Sequence, residues 1–351
     1  MFDIITIGTA TRDVFLESPL FKPIKDPEHL SEKKGFPTGE AQCFALGSKI
    51  EVEKIVFTTG GGATNTAVTF SRQGLKTAAV IKVGQDEGGK AITKELKKEK
   101  VDPLAIEDKK QLTAYSVILL AVSGERTILV YRGASERLEE QEISWRKLSS
   151  RWVYLAPGGI SFDLLQHLVS NFAKQKTKIA INPSKTQLSL GLKKLKPLLS
   201  EIDIVILNQE EASRLTGIPY QKDKLIFKFL DEEIGGILVV TEGGKGAKIS
   251  DGRFVWQAGI FQEKVVIDRT GAGDAFGSGF VGGIIEKTKN QKLITNSLKP
   301  EVIDYAIRLG SANATSVIEH IGAKEGIITK KEFLGSGRWQ PANLRITKHE
   351  L

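Results

Sequence analysis

The strongest chemical signal in the chain is the run Asp-Arg-Thr-Gly-Ala-Gly-Asp at residues 268–274. A charged, strand-like segment at 264–268 leads into this turn of small residues, and a helical pattern follows it. Free backbone N–H groups at the start of that helix would attract an anion, and the small residues would let a phosphate approach the backbone closely. Asp274 would lie in the first helical turn, where its carboxylate could accept a proton from a hydroxyl that attacks a phosphoryl group. A glycine-rich turn with Asp274 as a helix cap is the alternative interpretation.

A second turn of the same kind, Gly60-Gly61-Gly62-Ala63-Thr64-Asn65, also lies between a strand and a helix. Its glycines would admit a polyhydroxylated ligand against the backbone. Asn65 can both donate to and accept from hydroxyl groups. The alternative is a tight strand-to-helix turn.

Three further loops follow predicted strands. Asn208 and Glu211 lie three residues apart on a first helical turn and would face one way, which suits Mg²⁺ held through its waters. A capping box formed by the same two residues is the alternative. A nucleotide could lie against the backbone of the loop Thr241–Ala247, although this pattern is also typical of a hairpin turn. The loop Gly84–Gly89 is most simply an Asp-Gly turn that caps the next helix.

Two familiar nucleotide-binding motifs are absent or out of place. The chain contains no G-x-x-x-x-G-K-[ST] sequence, which excludes a P-loop nucleotide-binding protein. Residues 277–282 match G-x-G-x-x-G, but they lie inside a predicted helix instead of between a strand and a helix. We interpret these glycines as sites of close helix packing.

The composition of the 351 residues is that of a soluble globular protein, with a net charge of +8. The excess positive charge lies in short lysine clusters that we interpret as solvated helix faces, because no aromatic residues or nucleic-acid motif accompany them. The single cysteine, Cys43, rules out an intramolecular disulfide bond. Apolar runs fall far short of the ~20 residues of a membrane span, and the N-terminus reads as a strand rather than a signal peptide. A cytoplasmic protein is therefore expected.

Short apolar strands alternate with amphipathic helices through most of the chain, which predicts an α/β fold with a parallel sheet covered on both faces. In such sheets, ligands bind beyond the carboxyl ends of the strands. The predicted strands are 3–8, 54–59, 77–83, 152–156, 178–182, 203–208 and 236–241. The predicted helices include 63–73, 90–100, 273–287 and 301–320.

Two stretches break this alternation. Residues 11–53 are irregular and contain Pro19, Pro23, Pro27 and Pro37, and residues 112–133 have the pattern of a hairpin with its turn at 123–126. We expect both stretches to form a small β lid. The main domain would then comprise 1–10, 54–111 and 134–351, with 338–351 as a loosely held polar tail.

The lid should not stand alone. Ile118, Leu120 and Val122 form part of an alternating apolar pattern that a two-stranded excursion cannot bury. We therefore expect the lid to cover the substrate, to pair with a second subunit, or both.

These signals, in this order and with these spacings, resemble the PfkB carbohydrate kinase family of the ribokinase-like superfamily. The resemblance covers residues 3 to about 325. It is most specific at 268–274, which looks like the family signature D-T-x-G-A-G-D, while 60–65 looks like the N-terminal signature and 208–211 matches N-x-x-E. The resemblance implies a ribokinase-like three-layer fold with a mostly parallel central sheet and a small β lid.

The resemblance also implies roles for the residues that bind the acceptor and carry out the transfer. Asp274 would be the catalytic base, and Gly271, Ala272 and Gly273 would form the anion hole for the transferring phosphoryl group. The residues implied to bind the substrate hydroxyls are Asp13, Gly61 and Asn65.

ATP and Mg²⁺ are the implied cofactors, and K⁺ is a further one. Asn208 and Glu211 would hold the water shell of Mg²⁺ beside the nucleotide, and a monovalent cation would lie near Asp268. The residues implied to face the nucleotide are Asn182 at the phosphates, Thr241, Gly243 and Gly246 along its length, and Asn313 near the adenine.

The chain departs from the family pattern at several positions. Thr11 stands where ribokinases commonly carry Asn, and the 11–53 region is longer than in ribokinase. Arg269 stands where the family usually has a small hydroxyl residue. Arg132 could contact an acidic sugar or a phosphate from the lid, although an exposed strand arginine is an equally simple interpretation. These departures argue against plain ribose as the substrate.

We therefore expect an ATP-dependent phosphotransferase that acts on a hydroxyl of a small-molecule sugar or nucleoside. We expect a homodimer formed through the lid, with no nucleic-acid or membrane partner. The alternative is a non-catalytic sugar- or nucleotide-binding protein that retains the kinase fold. Asp274 and the intact turn at 271–273 argue against that alternative.

Overall fold

The structure is a computed structural model that describes residues 1–26, 28–30, 39–121, 126–288 and 298–350. The elements of the first half of the chain are β1 (Phe2–Gly8), β2 (Thr11–Glu17), β3 (Pro23–Lys25), β4 (Glu40–Gln42), β5 (Lys54–Gly60), α1 (Gly62–Arg72), β6 (Thr77–Gly84), α2 (Glu87–Lys98), β7 (Asp102–Asp108), β8 (Ala114–Leu120), β9 (Arg126–Tyr131), β10 (Ser150–Ala156) and α3 (Phe162–Lys174). The second half adds β11 (Lys178–Ile181), α4 (Lys185–Leu188), α5 (Leu192–Leu199), β12 (Ile204–Asn208), α6 (Gln209–Thr216), α7 (Asp223–Glu233), β13 (Ile237–Thr241), β14 (Ala247–Ser250), β15 (Phe254–Ala258), α8 (Ala272–Lys287), α9 (Pro300–Val317), α10 (Lys330–Gly335) and β16 (Ile346–Glu350).

Ten strands form one large sheet in the order β16-β15-β14-β13-β12-β11-β10-β1-β6-β7. The strands from β13 to β7 in this order run parallel, and β14, β15 and β16 are added antiparallel at one edge. Every residue of β6 is buried, as expected for a parallel strand covered on both faces.

The two faces of this sheet carry separate hydrophobic cores. Ile4 of β1 packs in a core that includes Phe280 of α8 and Ile307 of α9. The next residue, Ile5, faces the other core, which includes Leu168 of α3. The α/β architecture with helices on both faces, predicted from the alternation of elements, is confirmed.

A second sheet of four strands has the order β5-β2-β8-β9, and β3 and β4 form a separate two-stranded ribbon. The hairpin of β8 and β9 is present, with Tyr115 opposite Tyr131 and Leu120 opposite Arg126. Its expected turn at 123–125 and the apolar position Val122 lie outside the described residues, as do Pro27 and Pro37. We call this four-stranded sheet the lid sheet.

Residues 54–60 were expected in the main domain, and this assignment is wrong. They form β5, which pairs antiparallel with β2 in the lid sheet, with Thr58 opposite Asp13. An isolated apolar strand has the same pattern in either sheet, because the partner is chosen by contacts distant in sequence.

Two expectations for the second half of the chain are also wrong. The expected loose tail at 338–351 is ordered over its described residues, 338–350. In this segment β16 extends the large sheet next to β15, and Trp339 packs edge-on against Phe261 with ring centroids 5.2 Å apart. The polar composition reflects an edge strand with a solvent-facing side. The segment 264–268 is not a strand, since Ile267 and Asp268 donate their amides to the carbonyl of Ile318 beyond α9.

The glycines at 277–282 pack helices closely, as expected. A Cβ on Gly279 would lie 2.9 Å from the Cα of Gly310 in α9. Within the described ranges, no helix is long and apolar enough to cross a membrane.

Candidate active site

The site is built where the end of β1 of the large sheet contacts the turn that leads from β5 of the lid sheet into α1. Thr9, which follows β1, accepts the amide of Gly62 on its side-chain oxygen at 2.9 Å and the amide of Ala63 on its carbonyl at 3.1 Å. Gly61 has a φ of 98°, and a Cβ there would lie 2.5 Å from the Thr9 carbonyl oxygen, so this turn requires glycine. The turn fixes the first residues of α1, including Asn65.

The start of α8 is fixed by Asp268. One oxygen of this buried carboxylate accepts the amide and the hydroxyl of Thr270 at 3.0 and 2.7 Å, and the other accepts the amide of Gly322 at 3.2 Å. Gly271 then adopts a φ of 79°, which favours glycine. The first-turn amides of Gly273 and Asp274 have no intrahelical acceptor and present a positive pole to the site.

Asp274 projects from this first turn towards the start of α1. Its Oδ2 accepts a hydrogen bond from Nδ2 of Asn65 at 2.9 Å. Burial raises the pKa of Asp274, while the bond from Asn65 and the charge of Lys324 act in the opposite direction. The arrangement gives a partly buried carboxylate of increased basicity next to a positively polarised helix start.

Asp13 of β2 lies on the lid side of the same turn. A Cβ on Gly60 would lie 2.0 Å from its Oδ2, so the glycine lets the backbone approach the carboxylate. Burial raises the pKa of Asp13, against hydrogen bonding by Thr11 and Ser116 and against nearby positive charges. Among the described residues, neither Oδ1 of Asp13 nor Oδ1 of Asn65 has a hydrogen-bond partner, although both atoms are buried. A ligand rich in hydroxyl donors would satisfy both atoms.

A cavity of about 270 Å³ opens on the other side of the α8 start. The predicted nucleotide residues Thr241, Gly243 and Gly246 line it, together with the anion-hole residues Ala272 and Gly273. The loop carrying the first three is also the turn of a hairpin, since Thr241 pairs opposite Ala247. The nucleotide and hairpin interpretations of this loop are therefore compatible.

Arg269 lines the same cavity, two residues before the anion-hole turn begins at Gly271. Its side chain is exposed, and within the described part of the chain it makes no ion pair. A guanidinium group in this position can bind a phosphate through paired N–H groups.

Asn208 and Glu211 form the capping box that was the alternative interpretation of this motif. Oδ1 of Asn208 accepts the amide of Glu211 at 2.8 Å, and Oε2 of Glu211 accepts the amide of Asn208 at 2.8 Å. Burial raises the pKa of Glu211; hydrogen bonds from Asn208 and Asn182 oppose this shift, and the charge of Asp274 adds to it. Glu211 therefore caps α6, and its carboxylate also interacts with the charge of Asp274. Asn182 itself donates to the Ile206 carbonyl at 3.0 Å.

Asn313, which the family resemblance places near the adenine, does not line this cavity. It is fully buried, and its Nδ2 donates to the carbonyl of Ala275 at 2.8 Å and to the hydroxyl of Thr69 at 3.1 Å. Its Oδ1 accepts the amide of Ile328 at 3.1 Å. Asn313 therefore ties α9 to α8 and α1; the cavity is lined instead by its helix neighbours Ser311, Ala314 and Thr315.

Arg132 lies just after β9 and forms an exposed ion pair with Glu136 at 3.1 Å.

Asp86 caps α2 by accepting the amide of Gly89 at 2.8 Å, which confirms the capping interpretation of the loop at 84–89.

Sequence reasoning missed Lys324, whose ammonium group is buried beside the lid sheet. The signal that could have identified it is a lysine, followed by Glu325, in a stretch at 321–328 that otherwise contains only glycine and apolar residues.

Comparisons with known proteins place the chain in a family. The model of the family described as pfkB family carbohydrate kinase matches residues 38–330. A ribokinase of Haemophilus influenzae is 29% identical over 283 residues, which cover 78% of this chain and 86% of that protein. A cytidine kinase of Thermococcus kodakarensis is 25% identical over 268 residues, covering 75% and 88%.

Solved structures share the fold over nearly the whole chain. A ribokinase from Giardia lamblia has a TM-score of 0.76 at 21% identity and covers 95% of this chain and 99% of its own. An Arabidopsis thaliana ribokinase complexed with ribose and ATP has a TM-score of 0.73 at 20% identity, covering 95% and 98%. The ribokinase-like fold, with its mostly parallel sheet and small second sheet, is thereby confirmed.

Proposed function

Because the chain belongs to the pfkB family of carbohydrate kinases, we propose that it transfers the γ-phosphate of ATP to a hydroxyl of a sugar or nucleoside. The observation that carries this proposal is the position of Asp274. Its partly buried carboxylate lies at the positive end of α8, between unpartnered acceptor atoms on one side and a cavity lined by glycines on the other.

Asp274 takes the proton of the attacking hydroxyl, and its increased basicity suits this task. Asp13, Asn65 and the backbone at Gly61 bind the hydroxyls of the acceptor. Phosphoryl transfer needs little covalent chemistry from the protein, so catalysis rests on placing the two substrates in line and on stabilising charge.

The anion hole consists of the backbone at Gly271, Ala272 and Gly273, whose N–H groups face the charge that develops on the transferring group. The cavity beside it holds the nucleotide along Thr241, Gly243 and Gly246, with Asn182 and Asn208 towards its phosphates. Arg269 adds a positive charge at the phosphate end of this cavity. The relatives whose printed names include ribokinase and cytidine kinase support both sugars and nucleosides as acceptor classes.

The residues present fit a magnesium ion held through water. Among the residues that the structure describes, no group of three or more His, Cys, Asp or Glu could hold a metal directly. One carboxylate and one amide, from Glu211 and Asn208, are suited to binding the waters that Mg²⁺ retains. When bound, the ion neutralises charge on the phosphates.

We place a monovalent cation beside Asp268, whose buried carboxylate accepts the amides of Thr270 and Gly322 next to the anion-hole turn.

The lid sheet supports a homodimer as part of the proposal. Its edge strand β9 exposes Ile128, Leu129, Val130 and Tyr131, and an exposed apolar edge strand invites pairing with another chain. Pairing of two lids would cover this surface and enclose the acceptor, which would exclude water that competes with the acceptor hydroxyl.

A coupled ADP-release assay over D-ribose, D-fructose, adenosine and cytidine tests the proposal. It should be run with Mg²⁺ and ATP, and with K⁺ replaced by tetramethylammonium in a parallel series. We expect acceptor-dependent ADP release with at least one member, dependent on Mg²⁺ and increased by K⁺. Calorimetric binding of ATP and an acceptor without any turnover would instead identify a non-catalytic binding protein.

A further inference from the structure

Lys324 is a buried lysine that the proposed reaction does not use. Its side chain is almost fully enclosed, with 2% of the residue exposed. The ammonium group donates to the carbonyl of Thr59 at 3.0 Å and to the Thr59 hydroxyl, and it lies 3.4 Å from Oε1 of Glu95. A buried charge is costly unless it is paired and hydrogen-bonded, so this lysine is held in one place by specific partners.

These contacts join three separate parts of the fold. Thr59 belongs to β5 of the lid sheet, Glu95 belongs to α2, and Lys324 lies in the loop after α9. The Thr59 hydroxyl also donates to Oε2 of Glu95 at 2.8 Å, which closes the triangle. Two residues before Lys324, Gly322 donates its amide to Asp268 beside the anion-hole turn. The lysine therefore links the base of the lid sheet to the loop that supports the start of α8.

Thr59 is a sensitive point for the acceptor site. In the pairing of β5 with β2, Thr59 lies opposite Arg12 and Thr58 lies opposite Asp13. Thr59 is followed directly by Gly60 and Gly61, which lead into the helix that carries Asn65. A shift of Thr59 would therefore move both unpartnered acceptor atoms, those of Asp13 and Asn65.

The charge of Lys324 also acts on Asp13. Two cations act on this carboxylate, Lys324 and Arg12, and both lower the pKa that burial raises. The Arg12 guanidinium is partly engaged elsewhere, since it donates to the Thr58 carbonyl at 2.8 Å and lies over the ring of Phe57. The Lys324 charge is enclosed in protein and is screened less by salt than an exposed charge would be.

We propose that Lys324 is a positioning residue for the hydroxyl acceptor, which fixes Thr59 at the base of the lid and places a buried positive charge beside β5. This inference rests on the proposed function, because it assigns the acceptor end of the site to Asp13 and Asn65. It concerns acceptor binding and leaves the nucleotide cavity unaffected.

The test compares Lys324→Met with Lys82→Met. Lys82 is a matched control because it is also a buried lysine, paired with Glu142 at 2.7 Å, but it lies on β6 and does not contact the lid strands β2 and β5. The acceptor is the member of the ribose, fructose, adenosine and cytidine panel with the highest turnover. We expect Lys324→Met to raise the acceptor KM about 10-fold or more, since small misplacements near reacting groups have large effects. The KM for ATP should stay within about twofold of the wild type, as uniform loss of folding would not select one substrate.

The pH profile supplies a second readout. Lys324 lowers the pKa of both Asp13 and Asp274, so its removal raises both pKa values, and the two carboxylates become protonated at a higher pH. The acid limb of kcat/KM for the acceptor should therefore move towards higher pH in Lys324→Met. Lys82→Met should lower the melting temperature without moving either the acceptor KM or the acid limb. If Lys324→Met behaves like this control, the inference is overturned.

Two further measurements keep the test decisive. If Lys324→Met does not fold, Thr59→Val removes one acceptor of the ammonium group and retains the charge. It should raise the acceptor KM without moving the acid limb, and an unchanged KM would refute the positioning role.

Hydrogen exchange of residues 11–17 and 54–60 can be measured without any acceptor present. It should become faster in Lys324→Met and not in Lys82→Met. A wild type without turnover on any acceptor would count against the proposed function, whereas equal exchange in the two variants would count against Lys324.

Discussion

Asn65 and Asp274 are 209 residues apart in the chain, and their side chains are joined by a hydrogen bond of 2.9 Å. Nδ2 of Asn65 donates to Asp274, while its Oδ1 is buried without a partner among the described residues. One amide group thus orients the proposed base and leaves its other atom for the acceptor hydroxyls. The first turns of α1 and α8 form a single unit through this bond.

Asp274→Asn should lower kcat by about 10²–10⁴-fold, the usual contribution of a general base. The side chain keeps its shape but can no longer take up the proton of the acceptor hydroxyl. Steady-state kinetics would measure the loss, and calorimetry with ADP should show nearly unchanged nucleotide binding. A kcat close to that of the wild type would exclude Asp274 as the base.

Asn65→Ala should move the acid limb of kcat towards higher pH. The Asn65 bond lowers the pKa of Asp274 against the effect of burial, so its removal raises that pKa, and the ionised base is lost sooner as the pH falls. The matched control is Asn343→Ala, since the Asn343 amide donates to the carbonyls of Gly337 and Arg338 on the surface. An acid limb that stays in place would show that the bond does not set the basicity of Asp274.

Glu211→Gln should increase the Mg²⁺ concentration required for half-maximal rate. Glu332→Gln is the control for the helix-capping role of Glu211. Thr329 and Glu332 form the same kind of capping box at the start of α10, and neither belongs to the proposed metal site. Both variants should lose stability of the order of 1 kcal/mol, as for other helix caps. An identical Mg²⁺ dependence in the two variants would leave Glu211 with helix capping alone.

Arg269→Thr restores the residue type that the family resemblance implies at this position. We expect the KM for ATP to rise about 10-fold or more, because a charge-assisted hydrogen bond to a phosphate is lost. Arg146→Thr is the control, since this arginine is also exposed but lies outside the residues that line the cavity. Calorimetry should show weaker ADP binding and unchanged adenosine binding in Arg269→Thr. Equal loss for both ligands would contradict a phosphate contact.

Val130→Asp should shift the protein towards monomers by placing a charge on the exposed face of β9. Leu225→Asp on α7 is the matched control, because both side chains are 50% exposed and Leu225 lies outside the lid sheet. Sedimentation velocity over a range of concentrations would separate the two species. A wild type that is monomeric throughout that range would refute dimerisation through the lid.

Local sequence was sufficient to predict much of the fold and the centre of the site. The alternation of apolar strands and amphipathic helices predicted the covered parallel sheet, because a parallel strand buried on both faces must be apolar throughout. The glycine turns before α1 and α8 predicted two close backbone approaches, and Gly61 and Gly271 show the positive φ values that require glycine. Asp274 was located through that turn, since its place relative to the helix start is set by neighbouring residues.

Features set by distant contacts were not predictable in this way. The residues of β5 do not indicate that this strand pairs with β2. Likewise, the polar residues of β16 do not indicate that this segment pairs with the edge of the large sheet. Asn313 was assigned to the nucleotide, although its helix turns it into the core, where three groups satisfy its amide. Whether a residue of α9 faces the cavity or the core changes from one position to the next. Sequence periodicity cannot tell these two faces apart in a helix that is buried on most sides.

The parallel pairing of β2 with β8 means that the lid is not a contiguous insertion. Thr11 lies opposite Ala114 and Glu17 opposite Leu120, so the two halves are separated by α1, β6, α2 and β7 of the main domain. An engineer who wished to transplant acceptor preference from a relative would have to exchange residues 11–60 and 114–131 together. A chimera with only one foreign half would join two central strands that did not evolve together. The mismatch would lie at the strand pair that carries Asp13, which we propose as an acceptor-binding residue.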